Sequence, residues 1–189
     1  MNNKTDMFGR TMFETIAAIS VVGLITAGVA KIAGTALERY KLSRIGQNVI
    51  DLQKAINFRY MAKGNYKDLN DPSSWDKMKQ FIPFEIRGKK HAFGGDIEIG
   101  GIKVDGEQDD DMLRRYYVQF DNLPDNACTA LGDMQWGYDG SSSLVYIKIG
   151  EKDEIEKEEK KDEIYENPVS INKLDELCVN GVSMKWVFE

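Results

Sequence analysis

From Thr11 to Ala30 the chain reads TMFETIAAISVVGLITAGVA, an apolar run interrupted by a single acid, Glu14. Twenty residues in a helix rise about 30 Å, enough to cross the hydrocarbon core of a bilayer. Lys31 closes the run, and the pattern then changes from continuous to one-sided. Leu42, Ile45, Val49, Leu52 and Ile56 recur at spacings of three, four, three and four, while Arg39, Lys41, Arg44, Gln47, Asp51 and Lys54 fall largely off that stripe. The spacing predicts one helix from about Met12 to Met61, amphipathic in its second half and stopped by Lys63-Gly64-Asn65. The seam of the second half lasts about two heptads, short of the three or four that a coiled coil requires. A hydrophobic anchor whose continuation packs on a globular head is the simpler account.

Residues 64 to 94 are polar and irregular, with a turn at Asn70-Asp71-Pro72-Ser73 and with Trp75, Phe81 and Phe84 as expected packing anchors. Strand patterns follow. Ile97 and Ile99 alternate with polar residues, Gly100-Gly101 reads as a two-residue hairpin turn, and Ile102 and Val104 alternate back. Tyr116 to Phe120, Leu144 to Ile149 and Val182 to Phe188 are the remaining expected strands, and an antiparallel sheet results. Pro124 to Leu131 and Ser170 to Cys178 read as short helices or turns, each carrying one cysteine, with Asn180-Gly181 ending the second. The predicted fold class is α+β: a long N-terminal helix packed on a small antiparallel sheet.

Charge narrows the partners. The 189 residues carry a net charge of −6 with a pI of about 5.0, and the acids gather at Asp105 to Asp111 and Glu151 to Glu166. That distribution offers no basic footprint, so contact with nucleic acid is not predicted. Lys4 and Arg10 ahead of the apolar run form the short positive flank of a segment that keeps its N-terminus in the cytoplasm and sends the rest of the chain outside. Both cysteines, Cys128 and Cys178, lie on that outer side, where disulfides persist. Pairing them would close a loop of about 50 residues, worth roughly 4 kcal/mol of chain entropy. Free buried thiols and a metal or redox site are the alternatives, and there is no CxxC.

Candidate chemistry is sparse. His91, the one histidine, has no acid or nucleophile at diagnostic spacing, and no phosphate-binding glycine motif occurs. An enzyme is therefore not expected, and no cofactor is implied. Asp105, Glu107, Asp109 and Asp111 are weak calcium candidates, since the EF-hand pattern fails with Gly106 misplaced and Tyr116 where the closing glutamate belongs. A solvated acidic turn is the plain reading of that run. The mixed-charge run from Glu151 to Glu163 reads as an exposed insertion between the cysteines.

Three readings compete for residues 1 to 30. Gly28-Val29-Ala30 would serve as the cleavage site of an ordinary signal peptide, leaving a secreted binding domain that starts near Lys31. A plain membrane anchor explains length and flanks equally well. Neither accounts for Glu14, because an acid within a membrane-length segment costs about 2.5 to 3.5 kcal/mol on insertion scales. If the chain is cut after Gly9, Glu14 becomes the fifth residue of the product. That layout, a short leader ending in glycine, a glutamate at position five and an apolar helix behind it, resembles the type IV prepilin family, which includes the pseudopilins of type II secretion. Arg10 stands where the family usually has Phe, Met or Leu, and no proline precedes Pro72.

The resemblance implies an organisation of 1–9 as prepilin leader, 10–30 as transmembrane and filament-core helix, 31–63 as its amphipathic continuation, and 64–189 as a globular head with a Cys128–Cys178 disulfide region. It implies Gly9 and Arg10 as the processing site of a prepilin peptidase, with methylation of the new N-terminus. Glu14 becomes an assembly residue whose carboxylate neutralises a free α-amino group inside an apolar bundle. The implied function is structural, as a subunit of a type IV pilus or related filament. Its implied partners are further copies of itself, other pilins, the peptidase and an inner-membrane assembly platform. The protein would be single-pass in the inner membrane before assembly, then part of an extracellular pilus or a periplasmic pseudopilus.

Overall fold

The computed structural model describes residues 5–103, 112–136, 143–155, 165, 167–179 and 181–189; among these, side chains are described from Met12 onward, except at 61, 154 and 155. The chain divides into two compact units, Met1–Lys41 and Leu42–Glu189. Helix α1 spans Thr5–Tyr60 and contributes to both.

In the first unit every described position from Met12 to Tyr40 is exposed, including Phe13, Ile16, Ile19, Leu24 and Ile32. Leaving a large apolar side chain in water forfeits about 1.5–3 kcal/mol of burial. A helix apolar on all sides is stable only in lipid or among other helices, and this one is long and apolar enough to cross a membrane.

The second unit is built on the predicted stripe. Ile45, Val49, Leu52, Ile56 and Tyr60 are buried on one side of α1, and Leu42 packs at the edge. A 3-10 turn over Met61–Lys63 and Gly64, at φ +58°, end the helix as expected. A second 3-10 turn covers Lys67–Asn70, and the short helix α2, Ser74–Met78, buries Trp75 and Met78. Then come β1 (Ile97–Ile102), β2 (Arg115–Leu123), helix α3 (Asp125–Asp133), β3 (Leu144–Gly150), helix α4 (Lys152–Ile155), helix α5 (Ile171–Leu177) and β4 (Val182–Phe188). All three pairings are antiparallel and the strand order is β1-β2-β4-β3, so the last strand inserts at the centre.

Aromatic rings fill the space between sheet and helix. Trp186 of β4 meets Phe120 edge-on at 5.5 Å and Trp136 at 5.4 Å, while Phe188 stacks on Tyr116 at 5.3 Å. Offset and edge-to-face pairs of this kind add about 0.5–1.5 kcal/mol each beyond area burial. The Tyr116 hydroxyl donates to Asn57 Oδ1 at 2.8 Å, which ties β2 to the amphipathic part of α1.

Two expectations are corrected. Gly100 and Gly101 do not form a hairpin turn; β1 runs straight through them, with Gly100 opposite Tyr117 and Gly101 opposite Tyr116. Their lack of a side chain serves close packing: a Cβ on Gly100 would come within 2.7 Å of the Tyr117 ring, and one on Gly101 within 2.6 Å of the Tyr66 carbonyl oxygen. Val104, expected in the returning strand, lies outside the described residues. Of the three aromatic anchors only Trp75 is one, at 3 % exposed, with Nε1 donating to the Arg87 carbonyl. Phe81 is 37 % and Phe84 81 % exposed. In the 3-10 turn Phe84–Ile86 it is Ile86 that faces inward, leaving Phe84 beside Arg87, while Phe81 rests on Phe58.

Candidate functional site

Gly9 and Arg10 fall within α1, and the Arg10 side chain is outside those described. Glu14 is exposed on the same helix. Its polar neighbours along the helix satisfy themselves: the hydroxyls of Thr15, Ser20 and Thr26 donate to the carbonyls of Met12, Ile16 and Val22 at 2.8–2.9 Å. Such groups need nothing from a lipid or from another helix. A carboxylate has only acceptors to offer, and a helix backbone has no N–H to spare in its interior, so Glu14 requires a donor from elsewhere. Among the described residues none supplies it.

The cysteines are bonded to each other. Cys128 sits in α3 and Cys178 directly follows α5, with their Cα atoms 5.5 Å apart and both side chains buried. The two helices also meet at Gly132, where a Cβ would come within 2.3 Å of Leu174 Cδ2, and Val169 N–H donates to the Gly132 carbonyl. The bond thereby anchors the segment that leads into central strand β4. Asp105, Glu107, Asp109 and Asp111, the calcium candidates, lie outside the described residues, as does most of the mixed-charge run after Ile155.

A buried polar cluster at one end of the sheet has no signature in the sequence pattern. Asp121 lies in β2 on the same face as Gln119, where its buried carboxylate accepts from Lys152 Nζ at 2.7 Å and from Gln119 Nε2 at 2.8 Å. Lys152 also pairs with Glu98 of β1. Burial pushes the Asp121 carboxyl up, but the hydrogen bonds from Lys152, Gln119 and Ser183 outweigh it and the net shift is downward. His91, 4 % exposed, stacks on Phe120. Its Nε2 is 2.7 Å from the Asp121 carbonyl oxygen, and its Nδ1 accepts from Phe93 N–H at 3.2 Å. A carbonyl only accepts and an amide N–H only donates, so the ring is neutral with its proton on Nε2.

Both nitrogens of His91 are thus committed to holding the loop ahead of β1. Burial pushes its pKa below the ordinary 6.5, and the Asp121 interactions restore only part of that. Below pH 6.5 the unfolded chain takes up a proton that the folded chain refuses. The contribution is therefore intact above that value and lost as pH falls toward the folded pKa. In urea titrations of the full chain in mild detergent, the unfolding midpoint should drop between about pH 7 and pH 5, and His91→Gln should flatten that drop. An unchanged slope in the variant would mean that His91 does not control it.

With this geometry in place, the molecule has the fold of a type IV pilin: a long N-terminal helix on a small antiparallel four-stranded sheet. The crystal structure of TcpA, a type IV pilin from Vibrio cholerae El Tor biotype, matches with a TM-score of 0.56 at 12 % identity, over 79 % of this chain and 99 % of that one. In sequence the chain is 31 % identical over 65 residues to the toxin coregulated pilin of Vibrio cholerae serotype O1 (strain ATCC 39315 / El Tor Inaba N16961), covering 34 % of this chain and 29 % of that protein. It is 27 % identical over 77 residues to another Vibrio cholerae toxin coregulated pilin, covering 41 % and 34 %. The chain thus spans about a third of the length of the curated relatives it matches. No protein-family model matches. The resemblance to the type IV pilin family holds in sequence as well as in fold.

Proposed function

We propose that the chain is a structural subunit of a type IV pilus or related pilin-like filament. It is made as a prepilin, held in the inner membrane by residues 10–30, cut after Gly9 by a prepilin peptidase, and assembled by an inner-membrane platform with further copies and other pilins. The observation that carries this reading is the state of α1. Every described position from Met12 to Tyr40 is exposed, the apolar run to Ala30 included, whereas the core of the head is completed by residues from Ile45 onward. Lipid before assembly and neighbouring helices after it would cover that surface in turn, and Glu14 would find its donor in an α-amino group released by the cut.

The N-terminal sequence and intact mass of the protein recovered from its native host test this directly. A chain starting at Arg10, with or without an N-methyl group, is the expected result. One starting at Lys31 would mean a secreted domain with an ordinary signal peptide, and an uncut N-terminus would mean a permanent anchor.

A further inference from the structure

The sheet has two edges, and one of them is β1. Its pairing with β2 alternates, so every second residue turns its backbone N–H and C=O away from β2. Ile97 is one of these, because its N–H donates outward to the Lys89 carbonyl at 2.9 Å. Gly101 is another: the Asn70 carboxamide accepts from its N–H at 2.7 Å and donates to its C=O at 3.3 Å, as a neighbouring strand would. Ile99 lies midway and must face the same way. Nothing among the described residues pairs with its outward N–H and C=O.

That gap is not a flat surface. It opens into a groove of about 600 Å³ between β1 and the Leu69–Trp75 segment. Both ends of the edge are occupied by the chain's own groups, which blunts it against indiscriminate strand pairing, yet among the described residues nothing covers the middle. The groove wall carries Asp71, Asp96 and Glu98 beside Lys89; Asp96 is paired with Lys90 at 2.7 Å and Glu98 with Lys152, which leaves Asp71 as the acid most open to a ligand. Asp71 is about half exposed; its carboxylate accepts from Ser73 N–H at 2.7 Å and meets Lys77 only at 3.7 Å.

We infer that the β1 groove binds a short extended peptide segment bearing a basic side chain, which adds to the sheet edge at Ile99. One residue of the incoming strand exchanges two hydrogen bonds with Ile99, as in other strand additions. A lysine or arginine beside it meets Asp71. This goes beyond the filament reading and does not depend on it.

The test uses the full chain in detergent micelles and the probe peptide acetyl-Lys-Val-Thr-Val-Lys-amide. Exchange of the Ile99 amide hydrogen should slow about tenfold or more at roughly 1 mM peptide, while β3, the other edge, is unaffected. The same peptide with glutamate for lysine, or with proline for the central threonine, should give no protection. Ile99→Pro removes an N–H that serves no ladder bond and is tolerated at an edge; it should weaken binding about tenfold or more with the near-ultraviolet spectrum retained. If that variant fails to fold, Asp71→Asn, which keeps an acceptor for Ser73 N–H, should still weaken binding about threefold or more. No protection of Ile99, equal protection by the proline peptide, or protection by maltohexaose in place of the peptide would each overturn the inference.

Discussion

Glu14→Leu should leave the head folded and the protein inserted in the membrane, and should abolish filaments. Leucine removes the cost of about 2.5–3.5 kcal/mol that an acid carries within a membrane segment, so insertion does not suffer. The hydroxyls around it are bonded to their own helix, and no described group on the chain loses a partner. On the proposed assembly, what is lost is the acceptor for a buried α-amino group. Removing one member of a buried ion pair costs about 3–5 kcal/mol, which weakens each subunit contact by about two to three and a half orders of magnitude. Glu14→Gln, which keeps a carbonyl acceptor but no charge, should fall between the two. Antibody detection of the subunit in membrane and sheared-filament fractions reads both quantities at once. Normal filament yield from Glu14→Leu would remove the assembly role from this residue.

Replacing both Cys128 and Cys178 with serine should give the largest loss of stability in the head. The bond closes a 50-residue separation that holds β3, α4 and α5, and removing such a link costs about 2–5 kcal/mol. At about 2–4 °C per kcal/mol for a unit of this size, the melting temperature should fall by about 4–20 °C. The consequence is sharper than the number, because Cys178 immediately precedes the strand that lies between β2 and β3. Freed at that point, β4 would detach more readily, and hydrogen exchange of Met184 and Trp186 amides should accelerate more than that of α1 residues such as Val49. Uniform acceleration across the head would show that the bond stabilises it globally, with no particular hold on β4.

Elements with a strong period are legible in the amino-acid sequence. The stripe Ile45, Val49, Leu52, Ile56 sets the buried side of α1, Gly64 sets its end, and the alternation over Val182–Phe188 matches β4 at both limits. Each of these depends on residues within a few positions of one another, and local periodicity carries that information. Glu14 stands out for the same reason, a lone charge in an apolar run.

Only the tertiary structure decided how these pieces pair. Two adjacent glycines carry the same local signal whether the chain turns there or is approached closely, and it was Tyr66, Asn70 and Tyr117, distant in sequence, that made Gly100 and Gly101 part of a strand. Ser183 and Lys185 alternate with apolar residues as outward-facing positions do, yet all of β4 is buried because it became the central strand, with Lys185 Nζ lying 4.6 Å from the Tyr117 ring. The cluster at Asp121 and His91 depends on a loop 30 residues ahead of Asp121 and on a lysine 31 residues beyond it. By itself the sequence determined a membrane-length helix with a single acid in its apolar run and an amphipathic continuation, because those are properties of neighbouring residues. Strand order, the open position at Ile99 and the neutral histidine were decided by contacts between segments that no short window of sequence contains.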